Sequence, residues 1–143
     1  RGFKMRLEFH HINFVSTDVD KLHRFYTDIL QLEDVPEENF PRTDATQNSG
    51  FSGKIRFATD GKVQMHIAEQ DFDVGFKNMQ IINPVESGHV AFRTDDLQSF
   101  LELLNRKGIP YSDYGNAFSK QWHQVFLHDP AGNIIEVHQE VSE

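Results

Sequence analysis

Histidine is the residue type whose number and spacing point to chemistry. The chain carries eight His and no Cys among 143 residues. Imidazole and carboxylate are therefore its means of holding a metal, and disulfides, thiolate clusters and a cysteine nucleophile are excluded. Two histidines sit in matching surroundings. His11 opens His-Ile-Asn-Phe-Val-Ser-Thr-Asp-Val-Asp-Lys, and His89, 78 residues on, opens His-Val-Ala-Phe-Arg-Thr-Asp-Asp-Leu-Gln-Ser. Histidine, phenylalanine and the Asp18/Asp96 pair coincide, and Ile12/Val90, Ser16/Thr94 and Val19/Leu97 match in type. Such self-similarity marks two copies of one unit, with an imidazole at the same point of each.

Each unit needs elements that aim those side chains. Residues 9–15 and 88–93 are β-branched and aromatic, hence strands. Each runs into a Ser/Thr/Asp cluster that caps an amphipathic helix. The apolar stripe is Val19, Leu22, Phe25, Tyr26 and Ile29 in the first copy, and Leu97, Phe100, Leu101 and Leu104 in the second. Gly108 and Pro110 stop the second helix. Extended pieces follow (32–35 and 110–114), then a hairpin: 55–59 with 63–68 about Asp60-Gly61, and 124–128 with 134–138 about Asp129-Pro-Ala-Gly. The expected fold class is α+β, two tandem β-α-β-β-β modules whose sheets, once joined, form a cup. One domain spans 5–143, with module one about 5–70, a linker at 71–86 holding Gly75, Asn83 and Pro84, and module two about 87–143. Residues 36–53 form a long polar loop with Arg42 and Phe51, a candidate lid. Residues 1–4 precede the domain.

Alternation along the strands decides which side chains meet. Phe9, His11, Asn13 and Val15 share one face, and His10, Ile12 and Phe14 the other, with Ile12 and Phe14 under the helix. In the second copy His89, Ala91 and Arg93 face away from the helix while Val90 and Phe92 are covered by it. His66 and Glu136 lie on the corresponding faces of the strands that close each copy. Joined about a pseudo-twofold axis, these faces line the cup and bring together His11, His66, His89 and Glu136. Three imidazoles and a carboxylate suit a divalent transition ion (Zn, Ni, Mn, Co or Fe), and a two-His-one-carboxylate subset leaves positions open for substrate. Glu136 is then the candidate general base. Asn13, Arg93, Trp122 and His138 are candidate substrate contacts, His138 also a candidate support behind the ligands. His10 points away from His11, His23 is a solvated helix residue, and His123 and His128 are bystanders.

Composition narrows the partners. Lys and Arg number 14 against 22 Asp and Glu, a formal net charge of −8, which argues against nucleic acid. No run approaches the ~20 apolar residues of a membrane span and no signal peptide is recognised, so a cytoplasmic protein is expected. With 38 % hydrophobic residues and 13 Phe the chain is globular rather than disordered.

The chain resembles the vicinal oxygen chelate superfamily, the glyoxalase, bleomycin-resistance and extradiol-dioxygenase group. The resemblance rests on the segment from His11 through Phe25-Tyr26 to Leu30, on Gly88-His-Val-Ala-Phe, and on Asp129-Pro-Ala-Gly-Asn-Ile-Ile-Glu-Val, and it covers nearly the whole chain. It implies paired modules forming an incomplete barrel around one metal, with ligand positions on His11, His66, His89 and Glu136, a small-molecule substrate and a homodimer. Glyoxalase-type members move a proton beside a carbonyl with carboxylates at the metal; here the fourth-strand position is His66. The activity implied is a metal-dependent glyoxalase-like lyase or isomerase on a small oxygenated substrate. An iron-dependent ring-cleaving dioxygenase and a non-catalytic, ligand-sequestering protein of the bleomycin-resistance kind are the alternatives.

Overall fold

The computed structural model describes residues 5–141. Eight strands, β1 (Glu8–Ser16), β2 (Glu33–Val35), β3 (Ile55–Thr59), β4 (Gln64–Glu69), β5 (His89–Arg93), β6 (Ser112–Gly115), β7 (Trp122–His128) and β8 (Ile134–Glu140), make one curved open sheet. Its order is β2-β3-β4-β1-β5-β8-β7-β6. The order is symmetric. β1 and β5 pair antiparallel at the centre, each flanked in parallel by the last strand of its own half. The two halves thus join within one chain and form the expected α+β cup.

Among the described residues three α-helices flank the sheet: α1 (Val19–Arg24), α2 (Val74–Lys77) and α3 (Leu97–Lys107). The equivalent aspartates cap α1 and α3: Asp18 accepts from the Lys21 amide and Asp96 from the Ser99 amide, each at 3.1 Å. Gly108 ends α3 in the left-handed region at φ 68°, a conformation that costs a residue without Cβ nothing. The apolar face of α3 packs Leu97, Phe100 and Leu104 onto Val125 and Val137. A second cluster, Phe51, Ala68, Val74, Ile82, Val85, Tyr114, Phe126 and Ile134, draws the linker and the 36–53 loop into one core with the strands.

Three expectations about faces are corrected. First, the register of β1 against β5 slips at His10: Phe9 pairs with Phe92 and His11 with Ala91, leaving His10 without a partner. Such a bulge reverses the alternation beyond it. Phe9 therefore lies on the outer face against Phe92, ring centroids 4.7 Å apart, rather than beside His11. Second, Ile12 and Phe14 are covered only in part: α1 leans more on β3 and β4 than on β1, Tyr26 stands 6.0 Å from the Phe14 ring, and the two remain 40 % and 37 % exposed. Third, α1 lasts six residues and gives way to a π-helical turn at Phe25–Ile29. The wider turn rotates the stripe, and Phe25 and Ile29 emerge into solvent.

Candidate metal centre

The site occupies the four central strands. Reading across the register, Asn13 of β1 stands between His66 of β4 and His89 of β5. One step along, His11 faces Ala91, which in turn faces Glu136 of β8. Ala91 is the small residue in that row, and over it the side chains of His11 and Glu136 meet. The Glu136 Oε1 atom lies 3.4 Å from His11 Nε2 and 3.0 Å from His89 Nε2. All three side chains are buried, and their ligating atoms lie within 4.8 Å of one another.

That spacing fits an ion. Donors about 2.1 Å from a common centre are roughly 3.0 Å apart at right angles and roughly 3.4 Å at the tetrahedral angle. Each member of the trio is held from behind. His89 Nδ1 donates to the Pro84 carbonyl at 3.0 Å, which leaves Nε2 as the nitrogen that faces the site. His11 Nδ1 lies 2.8 Å from His10 Nδ1, a contact available because the bulge turns His10 inward. The expectation that His10 points away from His11 is thereby corrected. On Glu136, Oε2 accepts from His138 Nδ1 at 2.8 Å and from Gln124 Nε2 at 3.2 Å.

His66 stands apart from this trio. It lies one register step from His11, stacks on it with centroids 3.7 Å apart, and directs Nε2 to Gln64 Oε1 at 2.9 Å. Asn13 and Trp122 line the cavity above the trio, with Phe40, Phe57, Phe126 and Gln124. Arg93 and His138 do not line it. They lie behind Glu136, where Arg93 spans His138, Glu140 and the face of Trp122, so the structure separates them from the surface a substrate would touch. His23, expected to be solvated, bonds the Phe57 carbonyl and Asp34 and so pins β2 to β3.

Electrostatics favour a ligand set ready at neutral pH. Burial alone would raise the Glu136 carboxyl, but His11, His138 and His89 override it and hold it well below the usual carboxylate range. Burial lowers His11, opposed in part by Glu136. Burial, together with the neighbouring His11, holds His66 well below its ordinary value. His10 is brought down to about 3 by burial and then by His11, His138 and Arg93. Neutral imidazoles and an ionised carboxylate are what a divalent ion needs. The same depression, with both oxygens engaged, suits Glu136 to ligation better than to accepting a proton.

The cavity has a volume of about 90 Å³, room for on the order of six waters and so for a small molecule or one end of a larger one. Two buried acceptors in its lining, Asn13 Oδ1 and Gln124 Oε1, have no hydrogen-bond partner. The Gln124 amide is oriented by its donation to Glu136, so its oxygen awaits a donor from whatever fills the cup. The 36–53 loop closes the open side. Thr43 N donates to the Phe118 carbonyl at 3.1 Å and its hydroxyl to the Asn116 carbonyl at 2.6 Å, while Arg42 donates to the carbonyls of Phe51 and Gly53. His10 and Phe40 are neighbours of the site that alternation did not reveal: one follows from the bulge, the other from a loop.

The chain belongs to the Glyoxalase/Bleomycin resistance protein/Dioxygenase superfamily, whose model matches residues 8–137. The fold is similar to that of a hypothetical protein, BH1468, from Bacillus halodurans C-125 (TM-score 0.66, 16 % identity, 96 % of each chain covered). It is also similar to methylmalonyl-CoA epimerase from Mycobacterium tuberculosis (TM-score 0.63, 16 % identity, 94 % of this chain and 88 % of that one). A third likeness is to a single-site variant of Streptomyces coelicolor methylmalonyl-CoA epimerase in complex with 2-nitronate-propionyl-CoA (TM-score 0.61, 17 % identity, 94 % of each). At these identities the likeness is one of fold. No curated protein matches the chain. Among the described residues no helix is long and apolar enough to cross a membrane.

Proposed function

We propose that this protein is a metal-dependent enzyme of glyoxalase type, a lyase or isomerase that acts on a small oxygenated substrate in the cup. The observation that carries this is the convergence of His11 Nε2 and His89 Nε2 on Glu136 Oε1 at 3.4 and 3.0 Å. His11, His89 and Glu136 would hold the ion, which when bound would polarise a substrate oxygen and make a neighbouring proton acidic. The aromatic walls exclude water and hold the apolar part of the substrate, while Gln124 Oε1 accepts a hydrogen bond from it. His66 is the residue placed to take the proton. Its Nε2–H donates to Gln64, which leaves Nδ1 as the basic atom. Burial makes it a weak base, which would suffice for a proton made acidic by a bound ion. This revises the assignment of the base to Glu136.

The position of His66 outside the trio also favours a second reading. Two histidines and one carboxylate with open positions are the ligand set of non-haem iron oxygenases, so an iron-dependent ring-cleaving dioxygenase is the alternative. A homodimer is proposed as well, since Phe9, Ile12 and Phe14 leave the outer face of β1 apolar and uncovered.

Metal analysis of the purified protein tests the proposal. One divalent ion per chain is expected, reduced to background in the His11→Ala/Glu136→Ala double variant. Stoichiometric metal in that variant would sink the site, and metal-free, fully folded wild type would favour a ligand-sequestering role. Zinc, nickel, cobalt or manganese supports the lyase reading; ferrous iron with oxygen consumption supports the dioxygenase.

A further inference from the structure

Arg93 and His138 look from the sequence like substrate contacts, yet they stand behind the site. We propose that they are positioning residues that set which oxygen of Glu136 is presented to the metal. The proposal rests on the reading of His11, His89 and Glu136 as a metal centre.

Arg93 Nε carries a hydrogen and can only donate, and it lies 3.1 Å from His138 Nε2. His138 Nε2 must then be the unprotonated nitrogen, and the proton of the neutral ring sits on Nδ1. From there it is donated to Glu136 Oε2 at 2.8 Å. Gln124 Nε2 gives the same oxygen a second hydrogen bond at 3.2 Å. With Oε2 occupied twice, the carboxylate turns Oε1 alone toward His11 and His89. An ion in the cup therefore meets a single oxygen rather than a bidentate carboxylate, and more of its coordination sphere stays open.

The chain is itself held in place. Arg93 is anchored by Glu140 Oε1 at 3.1 Å and lies over the Trp122 ring, 5.5 Å from its centroid. Trp122 in turn stacks on His138, centroids 4.5 Å apart and planes 7° from parallel. His138 is fully buried and both its nitrogens are engaged, so it is unsuited to serve as a ligand, although it neighbours His10 and His11. Outer partners of ligating groups fix their orientation and tune affinity, commonly by 10–100-fold.

Cobalt(II) titration of the metal-free full chain tests this, followed by binding isotherm and by the visible d–d spectrum. His138→Phe keeps a ring against Trp122 but removes the donor. It is expected to weaken cobalt binding about 10–100-fold and to alter the spectrum, with thermal unfolding of the metal-free protein near wild type. His138→Asn, whose amide N–H sits where Nδ1–H was, is expected to restore binding to within a few-fold. Arg93→Met frees the ring to adopt the other tautomer and should give a smaller loss, one that vanishes in the His138→Phe background. Wild-type affinity and spectrum in both His138→Phe and Arg93→Met overturn the inference while leaving the metal centre intact. Wild type that binds no cobalt overturns the metal centre and the inference together. If His138→Phe does not fold, Arg93→Met decides: an unchanged isotherm and spectrum overturn the inference.

Discussion

His66 lies flat on His11, ring centroids 3.7 Å apart and planes within 13° of parallel, yet the two imidazoles do not aim at one point. His11 turns Nε2 to Glu136 while His66 turns Nε2 to Gln64. Stacked rings one register step apart are neighbours with separate duties. His66→Ala is therefore expected to retain close to one metal ion per chain while losing at least 100-fold in kcat. His11→Ala is expected to lose the ion itself. Metal content of the two variants, dialysed side by side, checks this; equal loss in both would make His66 a ligand.

The same buried imidazoles predict how the metal-free protein responds to acid. His10, His11 and His66 all titrate lower in the fold than free histidine, His10 at about 3. As pH falls through 6.5 the unfolded chain takes up protons that the folded chain refuses, so stability declines from there toward pH 3. Each histidine contributes a slope of up to about 1.4 kcal/mol per pH unit. Glu136 acts in the same direction lower down, because its depressed folded value is stabilising above the ordinary 4.5 and is lost as pH falls through the folded value. Urea midpoints measured between pH 7.5 and 4.5 should fall steeply and monotonically. A flat profile would mean that these side chains are hydrated in solution.

Much of this was legible before the structure. The repeat of His11 and His89 carried the two-module plan, and alternation along β4, β5 and β8 was enough to put His66, His89 and Glu136 on the inner face. Two local irregularities were not legible. The bulge at His10 moves Phe9 out and His10 in, and nothing in Phe-His-His-Ile announces an unpaired residue. The π-helical turn at Phe25–Ile29 breaks a stripe whose spacing alone reads as a regular helix. Parity arguments hold only while the ladder is regular. The support behind Glu136 was hidden for another reason: Arg93 lies on an inner face yet reaches past the cup, a matter of side-chain length and not of register.

Gly88 tests how tightly the centre is built. A Cβ at this position would stand 2.7 Å from the Asn13 carbonyl oxygen, a backbone atom that cannot step aside. Gly88→Ala must therefore push the start of β5 away from β1, and His89 is the next residue. A loss of roughly 1–3 kcal/mol in stability is expected, together with weaker metal binding than in a control such as Gly61→Ser. The control changes a turn where an added Cβ meets nothing within 4 Å, although its φ of 95° strains the backbone. Calorimetry with and without added zinc reads both effects. Equal metal affinity in the two variants would show that β5 can shift without moving the ligand.

Arg42 tests whether the 36–53 loop is a lid or a fixed wall. Its guanidinium donates to the carbonyls of Phe51 and Gly53 and lies 5.4 Å from the Phe51 ring centroid. Burial lowers its pKa, with Glu37 opposing, so the protein meets a desolvation cost to keep this cation at the mouth of the cup. Arg42→Ala removes two charge-assisted hydrogen bonds, and a loss of about 1–3 kcal/mol is expected. The loop's anchors to the second half, Thr43 to Phe118 and Lys120 to Pro41, survive the change. Amide exchange should therefore quicken at residues 50–54 while the amides of Thr43 and Lys120 stay protected. Faster exchange throughout 40–53 would instead mean that Arg42 holds the whole loop shut, and substrate entry should then be faster in the variant. Measured kcat/KM separates the two cases, since a wall leaves entry unchanged and a lid does not.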